Sequence, residues 1–391
     1  MKFKKNNWKQ VRLSDVCEKT TSIDYRKQTG NFNYVDIGSI NSELHRINEI
    51  QEIDWKNASS RARQVIYKGD TLFSTVRVNL ERVALVEREI PNAIASTGFT
   101  VLRANKSLID PLFLFYNSIA PKFLEKLIRL QVGTAYPAVT DKAVLNQEIL
   151  LPPPSEQFQI AELFQSIETA IEQVQQQEKN LKALCKRLVD GFVSDKPTFG
   201  NLLKGKQLNK VSYCDVTEKL LRKIDPVSYG IERIVAGENL ESEDFKIRTW
   251  GIVGKEFLGP AFHVLFKPGD ILYGSRRTYL KKVALADFEG VCANTTYVIR
   301  ADEKILLQDL LKYIMLSEKF TQYSIGVSKG STNPYINWKD LDNFSFLIPD
   351  LKTQKEIAAI LDSIIELIEQ YKTQKQTLKN LKQKVLNEIL G

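Results

Sequence analysis

The sequence predicts an α+β protein built twice, in which each of two similar globules is followed by a long amphipathic helix. Two observations predict it: an internal repeat, and a change of hydrophobic period at the end of each copy. Gly133 answers to Gly330, Pro152 to Pro349 and Ile160 to Ile357, because 330−133, 349−152 and 357−160 all equal 197. Pro137, Gln157 and Ala161 find Pro334, Gln354 and Ala358 at the same offset. A unit duplicated in this way predicts a pseudo-twofold molecule, and such symmetry commonly mirrors symmetry in a target.

From Trp8 to about Leu151 short strands alternate with turn signals, as in Tyr34–Gly38, Val83–Val86 and Phe99–Arg103, with Lys68-Gly69-Asp70 as a turn. A single helix is expected from Pro111 to Leu130, where Leu112, Phe115, Ile119, Phe123 and Leu127 recur at helical spacing. From Ser155 to about Phe192 the period becomes a heptad seam, running through Ile160, Phe164, Ile167, Ile171, Val174, Leu181 and Cys185, with Glu178 as a polar break. The second copy gives Ile357, Leu361, Ile364, Ile368 and Leu378, broken by Lys375 at the equivalent place. A helix of that length spans ~57 Å, more than a globule needs for its own core, so both helices are expected to act as spacers. The expected boundaries are residues 1–152 for the first globule, 153–193 for the central helix, 194–349 for the second globule and 350–391 for the last helix.

Asp195–Gly200 is expected to link the copies. In the second globule Lys267-Pro-Gly-Asp270 matches Lys68-Gly-Asp70 and Val283-Ala-Leu285 matches Val83-Ala-Leu85, now at an offset of 200. Asn201–Leu265 shows almost no likeness to Trp8–Ile66, and no clear counterpart of Trp8–Asp15 is expected there.

At 391 residues with a formal charge of +8 and an isoelectric point near 9.0, the chain suits two domains and leans toward a polyanionic partner. Cys17, Cys185, Cys214 and Cys292 are far apart, and His45 and His263 are the only histidines, so no metal site is expected. No stretch is apolar enough for a membrane span, and unpaired cysteines fit a reducing cytoplasm.

Catalytic motifs fail on inspection. Gly200–Gln207 nearly spells a phosphate-binding loop, but Gln207 stands where the magnesium-holding hydroxyl should be. Asn333-Pro334-Tyr335 lacks the second proline of a base-gripping methyltransferase loop, and no Gly-rich cofactor loop follows a strand. Asp54-Trp55-Lys56 and Asp302-Glu303-Lys304 have no accompanying acid pair for a nuclease metal. No cofactor is expected.

The basic and polar loops are the better candidates. Arg77, Asn79 and Arg82 follow the first Gly-Asp strand, and Arg276, Arg277, Tyr279 and Lys281 follow the second. Arginine can read guanine through two parallel hydrogen bonds, while lysine and tyrosine hold phosphates. The later loops add Thr134 and Tyr136 in one copy and Lys329, Ser331 and Asn333 in the other, each beside a glycine that permits close backbone approach. A DNA reader is the leading expectation. A coiled-coil assembly scaffold that binds only protein is the alternative, and salt-dependent DNA binding separates the two.

Taken in order, these residues resemble the specificity subunit of type I restriction-modification enzymes. The carriers are Trp8-x-x-Val11-x-Leu13-x-Asp15-Val16, the paired Gly-Asp strands, the paired Gly-Thr/Ser loops, Pro152-Pro-Pro-x-Glu156-Gln157-x-x-Ile160-Ala161 and Pro349-x-x-x-x-Gln354-x-x-Ile357-Ala358. The resemblance implies two target-recognition domains separated by two long antiparallel coiled-coil helices. Each domain would read half of a split double-stranded DNA site. It also implies docking of two methyltransferase subunits, possible restriction and translocase subunits as further partners, and no catalysis by this chain. Asp350-Leu351-Lys352 departs from the Pro-Pro-x-Glu run of the first copy.

Overall fold

A computed structural model describes Phe3 and residues 5–255 and 259–391. The chain divides into two compact units, Met1–Gln175 with Thr373–Gly391, and Gln176–Lys372. The two long helices, Pro154–Val193 and Leu351–Leu390, each contribute one stretch to each unit.

In the first unit the strands are β1 (Lys9–Arg12), β2 (Cys17–Glu18), β3 (Asn31–Val35), β4 (Gln51–Asp54), β5 (Ala62–Val65), β6 (Thr71–Ser74), β7 (Val83–Leu85), β8 (Ala93–Ser96), β9 (Phe99–Ala104) and β10 (Glu148–Leu151). They form two four-stranded sheets, ordered β4-β3-β8-β5 and β2-β9-β6-β7, and a separate β1-β10 pair. The second unit contains β11 (Asn209–Ser212), β12 (Thr217–Leu220), β13 (Arg233–Val235), β14 (Gly251–Ile252), β15 (Phe262–Phe266), β16 (Ile271–Gly274), β17 (Val283–Leu285), β18 (Gly290–Ala293), β19 (Thr296–Ala301) and β20 (Ser345–Ile348). Their order is β14-β13-β18-β15, β12-β19-β16-β17 and β11-β20, the same topology for these strands, and the first unit adds a short antiparallel pairing of Ile40–Asn41 with Arg46–Ile47 that has no counterpart among the described strands of the second. Even the one parallel pairing recurs, β3 with β8 and β13 with β18.

This topology corrects one expectation. Residues 208–218 are the counterpart of residues 8–18, with Val211, Asp215, Val216 and Glu218 standing 200 positions after Val11, Asp15, Val16 and Glu18. Leu13 and Tyr213 are wholly buried at equivalent places, and Val16 and Val216 nearly so. The likeness sits in a few inward positions of very short strands, where the pattern is hard to see. A second correction concerns the helix expected over 111–130, which is two helices, Pro111–Ser118 and Pro121–Arg129. Pro121 lacks an N–H and holds Ala120 in an extended conformation (ψ 134°), so the first helix cannot continue through it. Asp195–Gly200 is also more than a tether, since Phe199 is buried against Phe192 in the core of the second unit.

The repeated Gln has a clear job. Gln157 is buried; its side-chain oxygen accepts from the Asp110 N–H (2.8 Å) and its amide donates to the carbonyls of Pro152 (2.9 Å) and Leu108 (3.2 Å). Gln354 repeats this with the Leu307 N–H (3.0 Å) and the Pro349 (3.0 Å) and Ile305 (2.8 Å) carbonyls. Each glutamine stitches a long helix to its own globule by satisfying buried backbone groups. The two helix starts are otherwise built differently. Pro154 is pre-set for the first helical turn, whereas Asp350 caps the second helix by accepting from the Thr353 N–H (2.9 Å).

In the first unit Ile160 and Phe164 share a core with Leu386 and Ile389, and Lys382 pairs with Glu168 at 2.6 Å. In the second, Cys185, Val189 and Phe192 share a core with Ile357, Leu361, Ile364 and Ile368, with Leu181 packed against it. The start of one helix therefore lies with the end of the other, and the pair is antiparallel in each unit. Ile167 and Ile171 are buried, and Leu378 is half-buried. Glu178 is buried with its carboxylate 2.7 Å from Lys182.

Candidate nucleic-acid interface

In each unit two loops leave the central sheet side by side. The first loop follows β6. Thr75 donates from its backbone and hydroxyl to Gly98 O (2.9 and 3.0 Å), and its own carbonyl accepts from the Val139 N–H (2.9 Å). Arg77 takes the left-handed conformation (φ 49°), as does Glu81 (φ 51°), and the Arg77 N–H reaches Pro137 O at 2.7 Å. Left-handed arginine and glutamate are uncommon and hold only because the neighbouring loop fixes the backbone. That second loop is closed at its base by Val132 and Ala138, which exchange two backbone hydrogen bonds (2.9 and 3.0 Å) around Gly133 (φ 105°). A Cβ at Gly133 would lie 3.3 Å from Tyr136 O, so the turn is built for glycine. The Arg77 guanidinium lies 4.8 Å from the Tyr136 ring centre and donates to Ala135 O (3.2 Å).

The second unit reproduces the frame with other side chains. Arg277 (φ 48°) and Lys281 (φ 49°) are left-handed, the Arg277 N–H reaches Pro334 O (2.6 Å), and Lys329 and Tyr335 exchange two bonds (2.8 and 2.9 Å) around Gly330 (φ 90°). Tyr279 therefore stands where Asn79 does, Lys281 where Glu81 does, and Asn333 where Tyr136 does.

The structure brings most of the candidates together. Arg77, Asn79, Thr134 and Tyr136 are exposed on one pair of loops, and Arg276, Arg277, Tyr279, Lys329, Ser331 and Asn333 on the other. Two candidates are turned inward. Arg82 is half-buried and donates to Ile37 O (2.7 Å). The Lys281 side chain is 11% exposed and clasped by Glu318 (2.9 Å) and Glu243 (3.5 Å). Burial opposes its charge, but those two acids more than offset it and hold Lys281 above the ordinary lysine range. Lys329 is exposed with Asp340 3.1 Å away.

The Gly-Asp turns serve the frame. Asp70 is buried, accepts two bonds from Arg103 (2.9 and 2.7 Å) and one from the Tyr67 N–H (2.8 Å). Asp270 is wholly buried, bound by Arg222 and Arg300 and by the Lys267 N–H (2.8 Å). Buried carboxylates held this way order the strand from which the first loop departs.

Sequence reasoning missed a cleft in the second unit, formed where Lys219, Lys223 and His263 meet. His263 lies 40 residues beyond Lys223 (263−223 = 40), and the sheet order that joins it to the two lysines is invisible in the sequence. Among the described residues no group of three or more His, Cys, Asp or Glu is placed to hold a metal, and no helix is long and apolar enough to cross a membrane.

Comparison with known proteins agrees with this geometry. The chain is 26% identical to the Type I restriction enzyme MjaVIII specificity subunit of Methanocaldococcus jannaschii, over 76% of this chain and 73% of that protein. It is 22% identical to the putative MjaX specificity subunit of the same organism, over 98% and 93%. Among solved structures, it matches a chain of a type I R-M system, described for its complex assembly and conformational transition, with a TM-score of 0.64 at 26% identity, covering 98% and 97% of the two chains. It also matches the HsdS subunit from Thermoanaerobacter tengcongensis with a TM-score of 0.50 at 27% identity, covering 98% and 96%. The model of the type I restriction modification DNA specificity domain fits residues 5–183 and again 223–380, most of the chain in two tandem matches, and the protein belongs to that family.

Proposed function

We propose that each unit reads one half of a split double-stranded DNA site, and that the bond-making steps belong to companion subunits. The observation that carries this reading is the loop pair, present twice on one backbone frame with different exposed side chains. Phosphate contacts would position each unit, and Arg77 and Tyr136 in one loop pair, with Arg276, Arg277, Tyr279 and Asn333 in the other, would face base edges. The antiparallel helices offer their outer faces to two methyltransferase subunits, with restriction and translocase subunits as further partners of the assembly. The chain itself would be non-catalytic. Membership of a DNA specificity family favours this over a scaffold that binds protein alone.

The test is a titration of duplex DNA against the chain assembled with its methyltransferase subunits at two salt concentrations. DNA reading through phosphates predicts a steep fall of affinity with salt. Affinity that is absent, or flat with salt, would favour the scaffold.

A further inference from the structure

The missed cleft in the second unit, of about 290 Å³, is lined by Lys219, Lys223, His263, Asn294 and Thr296, and among the described residues no carboxylate lines it. Lys219 comes from the strand paired with β19, and its ammonium lies 4.1 Å from the centre of the Tyr297 ring. Lys223 bridges to Val264, and the Ile224 N–H reaches His263 O (2.9 Å), so the segment after β12 is laid against β15. His263 Nδ1–H donates to Pro260 O (3.1 Å), which leaves Nε2 as its second ring nitrogen, a donor to an anion when the ring is protonated. Neither lysine forms an ion pair among the described residues, although Lys219 is half-buried. Burial alone holds Lys219 below the ordinary lysine range, with no acid to offset the lost water.

The cleft adjoins the loop pair. Thr296 pairs with Gly274 at the end of β16, and the next residue, Ser275, binds Thr295 O through both its N–H (3.0 Å) and its hydroxyl (2.6 Å). The Tyr297 hydroxyl donates to Ile336 O (2.6 Å), and the Ile336 N–H donates to Ser275 O (2.9 Å). Lys219 thus packs on the residue that ties both loops to the sheet. The first unit carries a basic corner at the same place. Its Ile23 N–H reaches Arg63 O (2.8 Å) and its Thr97 N–H reaches Arg61 O (2.8 Å), as Ile224 reaches His263 and Asn294 reaches Ala261 O (3.0 Å). Lys19, Arg61 and Arg63 are all exposed there. Lys19 stands 200 positions before Lys219 (219−19 = 200), while Arg61 and Arg63 stand where the second unit has Ala261 and His263.

We infer that the Lys219–Lys223–His263 cleft seats a backbone phosphate of the bound duplex, beside the bases faced by the second loop pair. This rests on the reading of the unit as DNA-binding. Two lysines, an imidazole, an amide and a hydroxyl around a hollow with no carboxylate among the described residues suit a phosphate diester, and the seat fixes the register of the unit while carrying no sequence information.

The test uses the chain assembled with its methyltransferase subunits and duplex DNA carrying its target, across a salt series. Lys219→Gln and Lys223→Gln are each expected to weaken binding about tenfold, to flatten the dependence of log K on log salt by about 0.9, and to leave the recognised sequence unchanged. Lys223→Arg should keep the wild-type slope. Thermal melting checks folding, and if Lys219→Gln fails to fold, the exposed Lys223 variants carry the test. An unchanged slope in folded Lys223→Gln, or a changed target sequence, overturns the seat. Wild-type binding that does not depend on salt overturns the DNA reading instead, and the two failures are told apart by the wild-type curve.

Discussion

The two units share one strand order and one loop frame, yet the groups mounted on that frame differ in character. Where the first unit places Glu81 in a left-handed corner, the second places Lys281; where the first has Tyr136 stacked on Arg77, the second has Asn333. The buried Asp70 meets one guanidinium, and Asp270 meets two. Backbone geometry and the chemistry of the exposed loops are therefore carried by separate residues. The frame is held by buried groups, such as the aspartates and Gln157 and Gln354, which leaves the exposed loop positions able to diverge.

The aspartates give the largest test of that division. Asp270→Ala strands two arginines and should cost about 3–5 kcal/mol of stability, with Asp70→Ala nearer the lower end of that range. Denaturant unfolding with hydrogen exchange assigns each loss to its unit, and equal losses would break the contrast. Gln157→Ala and Gln354→Ala should instead match each other, each costing about 2–3 kcal/mol by leaving buried backbone groups unpaired. Unequal losses would mean that the two helix attachments are not equivalent.

Smaller effects fall on the loops. Arg77→Ala should relax discrimination at one half of the DNA site by about 1–3 kcal/mol and leave the other half untouched, while Arg277→Ala does the reverse. Binding to libraries randomised in each half measures both. The smallest effect separates the units by pH. His45, in contact with Phe115, is pushed down to about 4 by burial and by the Lys382 charge, and Phe245 stands at the equivalent position of the second unit (245−45 = 200). The folded state keeps His45 neutral while the unfolded chain takes up a proton below about pH 6.5. Stability is therefore complete above that pH and falls as pH drops toward 4. His45→Asn, which tolerates the left-handed backbone (φ 52°), should remove about 1 kcal/mol of the loss between pH 6.5 and 5. An unchanged pH profile would show that the imidazole titrates as it does in water.

Much of the architecture was legible because its markers are unusual residues at fixed spacing: prolines at strand ends, glycines in the loops, and glutamines that open the helices. The heptad seams were legible for the same reason, as Ile160, Phe164, Ile357 and Leu361 are all wholly buried. The start of the second unit was not legible, because only inward positions such as Tyr213 and Val216 must match and its strands are four residues long. The loops were legible as sets. Which members face outward was not, since Lys281 is turned inward by Glu318, 37 residues away along the chain. The Lys219 cleft was hidden because strand order, not sequence order, assembles it.

The division of labour proposed above assigns each half of a split site to one unit. Its most direct test is to map modified adenines in DNA from cells carrying this chain with its companion subunits, before and after Arg277→Ala and Asn333→Ala. The expected result is a motif in two parts, of which one part alone degrades in the variants. A continuous motif, or loss spread over both parts, would contradict it.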